Sequence, residues 1–194
     1  MSKINSKILD SDKFNKTMCA FDEANAKDPN NKELIYAQRM TDCLNNYDPD
    51  ASEALQLAVR CQHIRRWEKP RSEYPEGKAG YYKWRTNLYK YHGDVAAKYM
   101  IQEGYDKEMV NRVKTLLLKK EIKSNEESQA LEDVVCLVFL KYYFDDFITK
   151  HDENKLIVIV QKTWGKMSEK AHELALSIDF SDSAKSIVAK ALAD

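Results

Sequence analysis

The chain has 194 residues, 43% hydrophobic and 32% charged, a length that suits one domain with a sizeable core. Five Gly and four Pro leave little material for turns between many short strands, so an all-α architecture is favoured. Lys and Arg together number 31, as do Asp and Glu, and the resulting zero net charge provides no global field steering the protein to nucleic acid or an anionic membrane.

The first helix is expected over Phe14–Lys27, ending at Asp28-Pro29-Asn30 because proline cannot continue a helix. A second covers about Glu33–Asn46. Pro49, or the residues just after it, opens a third that runs to Trp67, with His63 in its last turns. The segment Lys69–Gly80, KPRSEYPEGKAG, holds two prolines and two glycines and reads as one long internal loop. A fourth helix follows over Tyr81–Glu103, closed by Gly104, and a fifth, amphipathic, over about Lys107–Lys120. The sixth begins near Glu126 and contains the apolar run Val134–Leu140, too uniform for a surface helix and read as central. A buried strand is the alternative for that β-branched run, although its flanks extend it to helical length. Another helix spans about Lys155–Ala175, and a last one starts at Ser183. The expected fold is a single-domain helical bundle of seven to eight helices, with residues 1–13 as a tail, 14–178 as the domain and 179–194 as a helical extension.

Cys19, Cys43, Cys61 and Cys136 show no CxxC spacing, which argues against a zinc knuckle and a disulfide framework and leaves them as small buried hydrophobes. The N-terminus MSKINSKILDSDKF lacks the apolar stretch of a signal peptide, and no run approaches the roughly 20 apolar residues that cross a bilayer. A cytoplasmic location without a membrane partner is therefore expected.

Two features carry chemistry. Glu132 and Asp133 directly precede the most apolar segment, too far past Glu126 for the helix macrodipole to explain them. A buried carboxylate needs an Arg partner, as a structural ion pair, or a metal. His63 shares a helical face with Arg60 and Trp67, while His92 ends the aromatic stretch from Tyr81 to Tyr91. Imidazole and carboxylate from different helices are the ligand set that helical bundles offer to zinc, iron or manganese. They are equally the parts of a hydrogen-bonded core network. The loop and its flank add Lys69, Arg71, Lys78, Lys83 and Arg85 to Tyr74, Tyr81 and Trp84. Cationic forks suit phosphate and aromatic rings suit a base or sugar, yet the same residues also make a solvated, partly packed surface.

The motifs DEANAKDPN, ELIYAQRM, ASEALQLAVRCQHIRRW, KPRSEYP, GYYKWR, KYHGD, EGYD, LEDVVCLVFLKYYF and KTWGKMS resemble the domain of unknown function 4202 family, from about Phe14 to Leu176. That family implies a coherent domain and no reaction. More distantly, the chain resembles the HD-domain metal-dependent phosphohydrolases, whose ligands are a His, a later His-Asp dipeptide and a final Asp. That resemblance implies an HD-like fold and a divalent ion, Mn, Fe, Zn or Ni, held by His63, His92 and Asp133. Glu132 would orient or deprotonate the water, and Arg66, Arg71, Tyr74, Lys83, Arg85 and Lys119 would bind a nucleotide or other small phosphorylated molecule. The sequence departs from the pattern where Gly93 follows His92, with Asp94 one place later and rotated by about 100° on a helix. Either Glu132 supplies the missing carboxylate or the site has lost its metal. The alternative to an enzyme is a helical module that binds nucleotide or RNA without turnover.

Overall fold

A computed structural model describes residues 10–120 and 122–193, so residues 1–9 of the expected tail lie outside the described part. All regular structure among the described residues is helical: ten α-helices and two short 3-10 turns. They are α1 (Ser11–Asn25), α2 (Lys32–Tyr47), α3 (Glu53–Arg60), α4 (Gly77–Gln102), α5 (Lys107–Leu117), α6 (Glu126–Tyr142), α7 (Phe144–Ile148), α8 (Glu153–Trp164), α9 (Glu169–Leu176) and α10 (Asp182–Leu192). Contacts divide the chain into two compact units between residues 121 and 122. Among the described residues no helix is long and apolar enough to cross a membrane.

The count exceeds the expected seven to eight because two expected helices are broken. The run through KYYFDDF stops at Tyr142, and α7 restarts at Phe144. The helix expected over Lys155–Ala175 is split at Gly165, and the two halves meet at a corner where His172 stacks on Trp164 at 4.1 Å and bonds its carbonyl at 2.9 Å. The Val134–Leu140 run is helix, within α6, which resolves the strand alternative.

Sequence dictates most starts. Asp10, Ser52, Asp106, Asn125, Asp152, Ser168 and Ser181 each accept a hydrogen bond from the amide three residues on, satisfying one donor that a helix start leaves open. α2 is capped differently. The Asp28 carboxylate, buried before Pro29, accepts from the amides of Asn30, Lys32 and Glu33 at 3.0, 2.8 and 3.1 Å. Burial works to raise its pKa, but those amides outweigh it and hold the carboxyl below its ordinary value.

In the first unit α4 packs along α5 and α1, α3 on α2 and α5, around a core of Phe21, Met40, Leu44, Leu55, Leu57, Ile64, Met100 and Val113. In the second, α6 packs on α9 and α7, and α10 on α8 and α7. The cysteines are free, Cys61 and Cys136 buried as expected, Cys43 half-buried and Cys19 exposed.

The long loop is largely structured. A turn at Arg66–Glu68 leads into it, another at Arg71–Glu73 lies within it, and α4 begins at Gly77, four residues before the expected start. The first turn of α4 returns onto the loop so closely that a Cβ on Gly80 would lie 1.8 Å from the Pro75 carbonyl oxygen, so only glycine fits there.

Candidate functional site: a histidine pair among cations

α3 ends at Arg60, so His63 stands beyond it on a run of turns rather than in the last turns of a helix. The turns end where Arg65 adopts left-handed backbone, φ 52°, with its amide donating to the buried Asn25 side chain of α1 at 3.1 Å. This geometry sets the Ile64 carbonyl against His92 on α4. His92 is 1% exposed, and its Nδ1 lies 2.9 Å from that carbonyl. A carbonyl only accepts, so Nδ1 carries the proton and Nε2 is a bare lone pair. That Nε2 is buried without a hydrogen-bond partner.

The two imidazoles come together, with ring centroids 5.9 Å apart. Tyr36 of α2 stacks on His63 at 4.1 Å and 15°, and its hydroxyl donates to Gln62 Oε1 at 2.8 Å. Arg66 Nη1 lies 2.6 Å from His63 Nε2. A guanidinium only donates, and its shorter contact makes Nε2 the acceptor; the same nitrogen lies 3.2 Å from Nδ1, which is 3.6 Å from Glu33 Oε2. Burial pushes the His63 pKa well below 6.5, and Arg66, His92, Lys119 and Arg85 lower it further. Burial likewise takes His92 down to about 3, with Arg66 and Lys119 adding to the shift against the opposing Ile64 bond. Both rings are neutral at pH 7. Burial lifts Glu33 the other way, to about 7, against the pull of Arg66. Glu33 and Tyr36 escaped the sequence reading; their i, i+3 spacing on the α2 face was the available signal.

Cations and rings alternate around this pair. The Arg66 guanidinium lies 5.1 Å from the Trp84 ring. Arg85 bonds the Tyr89 hydroxyl and lies 5.4 and 5.8 Å from the Tyr89 and Tyr81 rings. Lys119 Nζ stands 5.7 Å from the Tyr89 ring. The other phosphate candidates are placed differently. Arg71 donates to the carbonyls of Tyr74 and Pro75 at 2.8 Å each, bracing its own loop. Tyr74 accepts from Asn87 at 3.3 Å, and Lys83 is exposed on α4. Asp94, one place beyond the position where an HD pattern has its Asp, pairs with Lys114 of α5 at 2.8 Å.

Glu132 and Asp133 belong to the second unit and are both buried. Glu132 Oε1 lies 3.3 Å from Lys166 Nζ. Asp133 Oδ1 accepts from Gln129 Nε2 and the Ser168 amide, both at 2.9 Å, and Oδ2 accepts from Ser168 Oγ at 2.5 Å. Among the described residues no three His, Cys, Asp or Glu side chains gather into a metal-binding group.

The neutral histidines make acid stability a reporter of the site. A histidine whose folded pKa is depressed lends stability that is present above about 6.5 and lost as pH falls toward the folded value, about 3 for His92. Glu33, raised from 4.5 to about 7, has the opposite sign: its contribution is full below 4.5 and lost as pH rises through 7. Glu33 thus offsets one of the two histidines between pH 4.5 and 6.5. Urea midpoints measured against pH should therefore fall roughly twice as steeply between pH 6.5 and 5 in Glu33→Gln as in the parent. Identical slopes would show that Glu33 is ionised throughout.

The class these features define is an all-helical protein with a cation-lined histidine pair, His92 buried and His63 half-buried. A family model described as Domain of unknown function (DUF4202) matches residues 15–188, and the chain belongs to that family. No curated protein and no solved structure matches it.

Proposed function

We propose that the first unit binds the phosphate group of a small phosphorylated molecule at Arg66, Arg85 and Lys119, beside His63 and His92. The observation that carries this reading is the bare, buried Nε2 of His92, held unprotonated in the field of cations. Two neutral imidazoles beside three cationic side chains form a region of positive potential that favours an arriving dianion. It would also raise both histidine pKa values, so that His92 Nε2 becomes a donor to a phosphoryl oxygen. Inorganic phosphate and a panel of phosphomonoesters, titrated against the full chain by calorimetry, test this. Lys119→Ala and Arg85→Ala should each weaken binding by about tenfold or more, the loss of one charge-assisted hydrogen bond. Unchanged affinity in both variants, or no binding by any member of the panel, would sink the reading.

A second reading, metal-dependent hydrolysis of the HD kind, draws on the same atom. A metal-ligating histidine donates its other ring N–H to a carbonyl, as His92 does to Ile64. The donor set otherwise fits poorly, since His63 Nε2 accepts from Arg66 and Asp133 is bonded to Ser168 and Gln129. Phosphate release in the presence of Mn, Fe, Zn or Ni, lost in His92→Ala together with bound metal, would favour it.

A further inference from the structure

Resting on the phosphate site, we infer that the substrate is a nucleotide whose base stacks on the exposed aromatic shelf at the start of α4. Tyr81 and Tyr82 are 41% and 55% exposed, the two aromatic members of the large apolar side chains open to solvent among the described residues. They are not scattered. Tyr81 lies 6.0 Å from Tyr82 and 5.9 Å from Trp84, and Trp84 is fixed by its indole N–H donating to the Lys69 carbonyl at 2.8 Å. The shelf is rigid from below, because Gly80 holds this turn against Pro75 and Arg71 braces the loop carbonyls.

Two arginines join the shelf to the phosphate site, each facing both ways. Arg66 touches His63 with one nitrogen and stands over Trp84. Arg85 lies 5.8 Å from the Tyr81 ring and 5.4 Å from the Tyr89 ring, and its charge lowers the basicity of His63. The rings therefore begin one guanidinium away from the anion site. A bare phosphate has no use for exposed rings, and a sugar phosphate offers them no flat π-face. A base does, since every base offers a π-face, and stacking on an aromatic ring tolerates any of them. Lys78, 5.9 Å from the Tyr82 ring, adds positive charge at the outer edge of the shelf.

The test is a comparison of ligands on the full chain by calorimetry and by tryptophan fluorescence, with Trp84→Phe identifying the responding residue. Adenosine 5′-monophosphate or cytidine 5′-monophosphate should bind about tenfold more tightly than ribose 5-phosphate. Tyr81→Ala should remove that advantage while leaving ribose 5-phosphate affinity unchanged, and Tyr82→Ala, at the more exposed position, should reduce it with the fold intact by circular dichroism. Equal affinities for the nucleotides and ribose 5-phosphate would overturn the shelf and leave the phosphate site standing. Adenosine binding as well as its monophosphate, or no phosphate ligand binding at all, would overturn both. A single-stranded oligoadenylate binding at least tenfold more tightly than the mononucleotide would overturn the small-molecule assignment in favour of RNA.

Discussion

Arg60→Ala is expected to destabilise the first unit by about 2–3 kcal/mol, the cost of removing the charged hydrogen-bond partner of a half-buried Asp22 that is 31% exposed. The Arg60 side chain is 12% exposed, and its Nε and Nη2 donate to the two carboxylate oxygens of Asp22 at 2.7 and 2.5 Å. Nη1 also reaches Thr41 Oγ1 at 3.1 Å, so a single guanidinium ties α3 to α1 and α2. Alanine would leave Asp22 without its fork and three helices without their common tie. Lysine keeps the charge but cannot make the bidentate contact, so Arg60→Lys should recover less than half of the loss. Urea denaturation followed by circular dichroism measures this directly, and a loss below 1 kcal/mol for Arg60→Ala would show that the pair is loosely held.

Asp133→Ala should be comparably severe, at about 3 kcal/mol or more, for a different reason. Its carboxylate gathers the Gln129 amide, the Ser168 amide and the Ser168 hydroxyl, and that hydroxyl in turn accepts from the Ala171 amide at 3.3 Å. Truncation leaves donors around a buried hole and loosens the start of α9 at the same time. Asp133→Asn keeps one acceptor and should lose less. Running both denaturations with and without EDTA separates the two meanings of this residue. A loss that EDTA leaves unchanged is the mark of a helix-capping carboxylate. Loss that shrinks when metal is removed from the parent would instead make Asp133 a ligand.

The sequence exposes the helices whose boundaries are local and hides those set by distant contacts. α5 is foretold by its apolar stripe and α6 by its apolar run, and Pro29 fixes the end of α1 and the approach to α2. α3 is overextended because CQHIRRW continues the helical pattern without a breaker. The helix gives way to turns already at Cys61, and those turns end at Arg65, which Asn25 secures from 40 positions earlier and no local propensity encodes. The break between α8 and α9 escaped for a related reason: Gly165 alone is tolerable inside a helix, and the corner is closed by the His172–Trp164 stack.

The site divides in the same way. His63 and His92 were legible as a pair, and the structure sets their rings 5.9 Å apart. Arg66, Arg85 and Lys119 all lower the His63 pKa, and Arg66 and Lys119 lower that of His92 as well. Glu33 was not legible, because an acid in the first turn of a helix is ordinarily a macrodipole residue, and only tertiary burial lifts it to about 7. Arg71, expected from its loop to meet phosphate, donates to the carbonyls of Tyr74 and Pro75, contacts that no local pattern announces.

The bond from His92 to Ile64 has a consequence for how this site will behave under mutagenesis. Its acceptor is a main-chain carbonyl, positioned by a left-handed turn rather than by a side chain. The proton on Nδ1 is therefore written into the path of the backbone, and most single substitutions in the neighbourhood leave it in place. A saturation scan should find the lone pair at His92 itself and at Asn25, where losing the side chain would release the Arg65 turn and let the imidazole choose its tautomer. Asn25 lies on another helix and touches none of the proposed ligand groups, yet it would appear in such a scan as a residue of the site.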